Sequence, residues 1–219
     1  MMTLQQLLNF PAAPEVALLF MTCVVLLLEL FVKQKNSLLT YTASQLSLLI
    51  SLVLVSHLYR IPAQLLFHQH YIWDLVAYFI KLSILFFSIF AFVYARDALK
   101  HLGINSGEYY LLGLFSILGM LVLTSANSLL TLYLGLELLS FPLYALVALQ
   151  RKPSDAAEAA MKYFILGALA SGLFLYGLSL LYGATHSLII PTINQVLLQG
   201  GQSPILLTTG LVFIVAGIA

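Results

Sequence analysis

The chain has 219 residues, of which 62% are hydrophobic and 8% charged, with mean hydropathy +1.03 and formal net charge +1. A soluble domain carries about a quarter charged residues, so this composition marks an integral membrane protein. Near-neutral charge gives no electrostatic reason to expect nucleic acid or an acidic partner. At about 20 residues per span, the length accommodates six or seven transmembrane helices and no soluble domain. The single cysteine, Cys23, can form neither an internal disulfide nor a metal cage and reads as a small buried hydrophobe. No basic segment precedes the first apolar run and no small-residue cleavage site follows it, so no secretory signal is expected.

In chain order, the first span is predicted from about Val16 to Val32, with Glu29 four residues before Lys33 in the spacing of an interfacial ion pair. The second covers about Leu38 to Tyr59 and ends at Arg60 and Pro62. Around the following loop stand His57, His68 and His70 with Tyr71 and Trp73. His-Gln-His lacks a third ligand of defined spacing, and aromatic and polar residues commonly line a membrane interface, so no metal is assigned. The third span, about Asp74 to Ala95, contains Lys81 some two turns inside its end, a depth of about 10 Å. That depth leaves open both snorkelling to the interface and an intramembrane role. A polar connector with Arg96, Asp97, Lys100, His101, Asn105 and Glu108 separates this part, residues 1–107, from a second part, residues 108–219.

The second part opens with spans from about Tyr109 to Ala126 and Leu129 to Leu149, joined by the short Asn127-Ser128 turn. The fifth span carries one carboxylate, Glu137. Its leucines contribute roughly −5 kcal/mol of insertion free energy, enough to carry an ionised group costing about +3 at mid-bilayer. Steps of four, three and four place Tyr133, Glu137, Ser140 and Tyr144 on one face. Pro142 cannot donate to the carbonyl of Leu138, so a bend exposing a polar acceptor is expected beside the acid. An acid in this position either holds helices together or carries ions; an intramembrane ionisable residue is a functional candidate by default.

A sixth span begins near Glu158 and carries Lys162, then Gly167, Ala168, Ala170, Ser171 and Gly172, whose four-residue spacings favour close helix approach. Gly200, Gly201 and Pro204 open a seventh apolar run that stops at Ala219, as if the protein continued. Basic residues sort by connector: Lys33, Lys35, Arg96, Lys100, Arg151 and Lys152 follow odd spans, and only Arg60 follows an even one. The basic loops are therefore expected in the cytoplasm and the amino terminus outside. Lys162 then lies about one turn inside the cytoplasmic face, and Glu137 roughly 18 Å from it, too far for direct pairing.

From Glu108 to Gly183 the sequence contains Glu108-Tyr-Tyr-Leu-Leu-Gly, Leu123-Thr-Ser-Ala-Asn-Ser, Leu134-Gly-Leu-Glu-Leu-Leu-Ser-Phe-Pro-Leu-Tyr144 and Glu158-Ala-Ala-Met-Lys-Tyr-Phe164. This stretch closely resembles the antiporter-like membrane subunits of bacterial proton-pumping NADH:quinone oxidoreductase, respiratory complex I, and among them the subunit N family. The Gly-Leu-Glu-Leu core is shared with sister subunits and with multisubunit sodium/proton antiporters. The resemblance implies an all-α polytopic bundle of about seven spans, the last cut short, forming the first part of an inverted-repeat fold. It implies that Glu137 and Lys162 serve proton translocation, with Tyr133, Ser140, Pro142 and Tyr144 in support and Lys81 a further candidate. It also implies that the family's partner lysine would follow just beyond Ala219, that the chain alone would not pump, and that no catalytic, cofactor or metal site lies on it. NADH, FMN, iron-sulfur clusters and quinone are implied on partner subunits, and the location implied is the bacterial inner membrane. Two alternatives stay open: a subunit of a sodium/proton antiporter, or a non-transporting membrane scaffold.

Overall fold

The computed structural model describes residues 9–31, 37–102, 106–149, 154–198 and 204–218. In chain order the helices are α1 (Ala13–Phe31), α2 (Ser37–His57), α3 (Leu75–Leu102), α4 (Ser106–Thr124), α5 (Leu129–Val147), α6 (Ser154–Thr185), α7 (Ile190–Leu198) and α8 (Pro204–Ile218). The first six are long and apolar enough to cross a membrane, and α8 is a shorter apolar helix. The predicted spans are thus found, with ends shifted by a few residues. The helix α6 starts four residues before Glu158 and at 32 residues reaches about 48 Å, longer than the roughly 30 Å hydrocarbon layer. Asp74 begins α3 by accepting the Ala77 amide at 2.7 Å, satisfying a helix-terminal donor.

Apolar residues close two cores. Leu18 and Val25 of α1, Leu48 and Val55 of α2, Leu85 and Phe92 of α3, and Leu114, Leu118 and Leu121 of α4 form the first. Phe174, Leu178 and Leu181 of α6 with Leu207 and Ile214 of α8 form the second, and α5 lays Leu129, Leu132, Tyr133 and Leu136 against it. Close approach between helices uses glycine where backbones meet. At Gly119 of α4 a Cβ would lie 2.5 Å from the Leu139 amide nitrogen, and at Gly177 of α6 one would lie 2.7 Å from the Gly210 carbonyl oxygen. Of the small residues singled out on α6, Gly167 faces the Tyr144 ring, whereas Gly172 has open space in front of it. The α6–α8 contact runs from Ala170, where Gly217 of α8 would bring a Cβ within 2.7 Å of the Ala170 carbonyl oxygen, to the meeting of Gly177 with Gly210.

Two other expectations change, and a third falls partly on residues outside those described. Cys23 is exposed rather than buried. Glu29 accepts a short hydrogen bond from the Thr40 hydroxyl of α2, and the Lys33 expected beside it lies outside the described residues. The segment between α2 and α3 departs from the all-α plan: Gln64–Leu66 (β1) and Tyr71–Trp73 (β2) pair antiparallel, with Leu65 opposite Ile72. Its tip runs through Phe67, His68 and Gln69 at φ of 51°, 53° and 70°, a left-handed run without a glycine.

Docking holds that tip. The Asn127 side chain donates to the Gln69 carbonyl at 2.8 Å, the Ile72 amide to the Ser125 carbonyl at 2.9 Å, and the Asn127 amide to the His70 carbonyl at 3.1 Å. The α4–α5 turn is gripped from its other side by the α6–α7 connection, through Leu129 N–H to Leu188 and Ile190 N–H to Asn127. One end of the bundle is therefore a knot of three connections around the start of α5. Ser128 accepts the Thr131 amide at 3.2 Å and lies 2.8 Å from His70 Nδ1, so it both caps α5 and ties it to the hairpin. Ser128→Ala should cost about 1 to 2 kcal/mol, read as a lower thermal midpoint of the purified protein.

Candidate functional site

The four-residue face predicted on α5 is present and turned toward α6. Ser171 of α6 donates a short hydrogen bond to Glu137 Oε1, and its oxygen lies 3.2 Å from the Tyr133 hydroxyl. Tyr133 stacks on Phe174 of α6, ring centres 5.8 Å apart and planes 17° apart, which fixes the phenol beside the acid. One turn further on, Ser140 and Tyr144 line the same cavity as Glu137, and the Tyr144 ring lies over Gly167. A larger residue than glycine at position 167 would strike that ring, so the α6 sequence admits Tyr144 to the site.

Pro142 is buried, and α5 runs through it without interruption. The Ser116 hydroxyl of α4 lies 3.4 Å from the Leu139 carbonyl, next to the Leu138 carbonyl that Pro142 deprives of its usual donor. The hydroxyl thus reaches the neighbouring carbonyl and not the Leu138 acceptor expected beside the acid.

Two cavities flank Glu137. One, of about 330 Å³, is walled by Tyr133, Glu137, Tyr144, Phe164, Ala168 and Gly172, among others. The other, of about 160 Å³, is bounded by Glu137, Ser140, Ala170, Ser171 and, from α8, Gly217 and Ile218. Each exceeds what one water needs, and the acid, two phenols and Ser171 supply polar partners. Glu137 stands on the wall common to both.

Lys162 is elsewhere. It pairs with Glu158 at 2.6 Å, with the two side chains 70% and 66% exposed, the i,i+4 arrangement of a helix surface. Nine residues separate it from Ser171, about 13 Å along α6, so the expected lack of direct contact with Glu137 holds. Its surroundings are exposed helix, not the cavities beside the acid.

Lys81 is fully buried and does not snorkel. It makes a short ion pair with Glu15 of α1, donates to the Tyr71 hydroxyl at 2.8 Å, and stands 4.8 and 5.1 Å from the ring centres of Tyr71 and Trp73. Burial, reinforced by the Glu15 charge, pushes the Tyr71 phenol well above its ordinary range, so it stays a hydroxyl at physiological pH. Glu15 and Ser171 are the residues that sequence reading missed. Glu15 carried a signal, a carboxylate one residue before the first predicted span; Ser171 was read only as a small packing residue. His70 is used in the Ser128 contact, and among the described residues no three His, Cys, Asp or Glu side chains gather as a metal site.

Known proteins resemble this chain in sequence and in fold. A family model described as NADH:quinone oxidoreductase/Mrp antiporter, TM, matches residues 126–219, which include α5, α6 and α8. The chain is 44% identical over 208 residues to NADH-quinone oxidoreductase subunit N of Nitrosomonas europaea, and 46% identical over 209 residues to that of Halorhodospira halophila. Each alignment covers 95% of this chain and 43% of the relative, so the chain spans less than half the length of these curated relatives. Its fold matches a chain of respiratory complex I from Thermus thermophilus, solved with bound Aureothin, at TM-score 0.74 and 30% identity, over 94% of this chain and 43% of that one. It also matches a chain of the membrane-bound sulfane sulfur reductase, an archaeal respiratory membrane complex, at TM-score 0.77 and 23% identity, over 95% and 44%. That second likeness is one of fold alone. Sequence over nearly the whole chain, the family model over its second part and the fold agree: the chain is similar, along nearly all of its length, to part of subunit N of NADH-quinone oxidoreductase.

Proposed function

We propose that this chain is part of a membrane subunit of a proton-pumping NADH:quinone oxidoreductase and contributes part of a proton half-channel centred on Glu137. The observation that carries the reading is the acid itself, hydrogen-bonded by Ser171 and set between two cavities with room for water. A carboxylate in that position changes its protonation when a positive charge approaches or withdraws, which is the requirement for a loadable proton site. Tyr133, Ser140 and Tyr144 orient water and acid, and Pro142 shapes the α5 backbone around them. Lys162 and Lys81 stand apart from Glu137, so any link from either passes through water or another ionisable group.

The redox chemistry, with NADH, FMN, iron-sulfur clusters and quinone, belongs in this reading to partner subunits, and sister antiporter-like subunits are neighbours in the membrane. The chain functions as a non-redox part of a translocase in the bacterial inner membrane, with the amino terminus and the three-connection knot outside. Residues 108–219 hold the proton-handling module and 1–107 support it, although α4 packs in one core with α1–α3. A second reading, a subunit of a sodium/proton antiporter, draws on the family description that covers both systems. Sodium-dependent transport that persists without quinone reductase partners would select it.

The test plugs the larger cavity. Gly172 lines it, and a Cβ at that position would meet no atom within 4 Å; Gly183, also unobstructed, lies outside both cavities. In the assembled complex, Gly172→Leu should lower protons translocated per NADH oxidised while assembly persists, and Gly183→Leu should leave both unchanged. Equal stoichiometry in the two variants would overturn a hydrated path at Glu137.

A further inference from the structure

The pair of Lys81 and Glu15 is buried more deeply than Glu137, and the Glu137 mechanism makes no use of it. Lys81 is 0% exposed, Ser125 0% and Glu15 6%. Most of the hydrogen bonding is accounted for. Lys81 donates to Glu15 Oε1 and to the Tyr71 hydroxyl, and that hydroxyl lies 3.0 Å from the Pro11 carbonyl and 3.1 Å from Glu15 Oε1. Two atoms remain over. Among the described residues, Glu15 Oε2 and Ser125 Oγ are buried polar atoms with no hydrogen bond of good geometry. Both lie beside the same residue: the Ser125 carbonyl takes the amide of Ile72, which follows Tyr71, and Oε2 belongs to the carboxylate that contacts the Tyr71 hydroxyl.

A buried carboxylate oxygen and a buried hydroxyl left open at one place are costly unless something joins them. The ammonium already holds the other carboxylate oxygen, so a cation has no place there. A water does, since it can donate to the carboxylate and still exchange a hydrogen bond with the hydroxyl. We propose that Lys81, Glu15, Tyr71 and Ser125 form a second buried ionisable site, at the outer end of the bundle, that holds one internal water between Glu15 Oε2 and Ser125 Oγ.

The site's position says what it fastens. Glu15 belongs to α1, Lys81 to α3, Tyr71 to the hairpin and Ser125 to the turn before α5. The Ser125 carbonyl also takes the Ile72 amide, so the water and the backbone clamp the hairpin to that turn together. Charge, water and hairpin docking are one unit, independent of how Glu137 is used.

The experiment takes the full assembled complex. A map resolving internal waters should show density between Glu15 and Ser125, and Ser125→Ala should remove it. Amide exchange at Ile72 and Asn127 should quicken at least tenfold in Lys81→Met, which strands the Glu15 charge, and return to within a few-fold of the parent in Lys81→Met with Glu15→Gln. Empty density where other internal waters are resolved would overturn the site, as would exchange in Lys81→Met equal to the parent. Should Lys81→Met fail to assemble, a double variant that assembles with protected hairpin amides supports the charge pairing, and one that also fails overturns it.

Discussion

Glu137→Gln in an assembled complex is expected to cut proton flux through this subunit by about a hundredfold or more, the scale at which a positioned acid–base group contributes. The substitution is nearly isosteric. Its amide oxygen can still accept from Ser171, and the stacked Tyr133 and Phe174 keep their places, so helix packing has no reason to change. What disappears is the ability to take up and release a proton. Assembly and electron transfer to an artificial acceptor should match the parent, while protons translocated per NADH fall. Glu137→Asp separates the acid from Ser171 by about one C–C bond but keeps a titratable group, so partial recovery is expected from it. A scaffold role makes the opposite forecast, in which activity is lost only in proportion to complex lost from the membrane. Parent-like stoichiometry in Glu137→Gln would remove the acid from the mechanism.

What could be read in the sequence was what depends on near neighbours. The spans follow from runs of apolar residues, and the alignment of Tyr133, Glu137, Ser140 and Tyr144 follows from the helical repeat, which needs no knowledge of what lies opposite. The identity of what does lie opposite needed the fold. Ser171 sits in a small-residue series that reads as packing, and only the rotation of α6 against α5 turns its hydroxyl to the acid. Lys81 could not be resolved from depth alone, because its partner is 66 residues away, on α1. The hairpin was missed for a different reason. Its tip holds three non-glycine residues at positive φ, a conformation no local preference selects, stabilised by hydrogen bonds from the distant Asn127. The short helix α7 was likewise not anticipated; its backbone is anchored through Ile190 to the α4–α5 turn.

The depth at which α5 carries its acid depends on how closely α5 can approach α4, and Gly119→Val is expected to break that approach. A Cβ at position 119 would sit 2.5 Å from the Leu139 nitrogen, 2.8 Å from the Leu138 carbonyl carbon and 2.9 Å from the Leu139 Cα. All three are backbone atoms, so no rotamer change relieves the clash and the helices must separate. Separation also strains the Ser116 hydrogen bond to Leu139. Adding bulk to a packed core costs about 1 to 3 kcal/mol, and valine against backbone belongs at or above the upper end. Gly135 is the internal comparison: a Cβ there would meet Leu123 at 3.0 Å, so Gly135→Ala should cost less than Gly119→Ala. The expected order of thermal midpoints in the purified complex is parent, Gly135→Ala, Gly119→Ala, Gly119→Val, with the last depleted from the membrane. A Gly119→Val complex as stable as the parent would mean that α4 and α5 are not held at backbone contact, and the position of Glu137 would then need another cause.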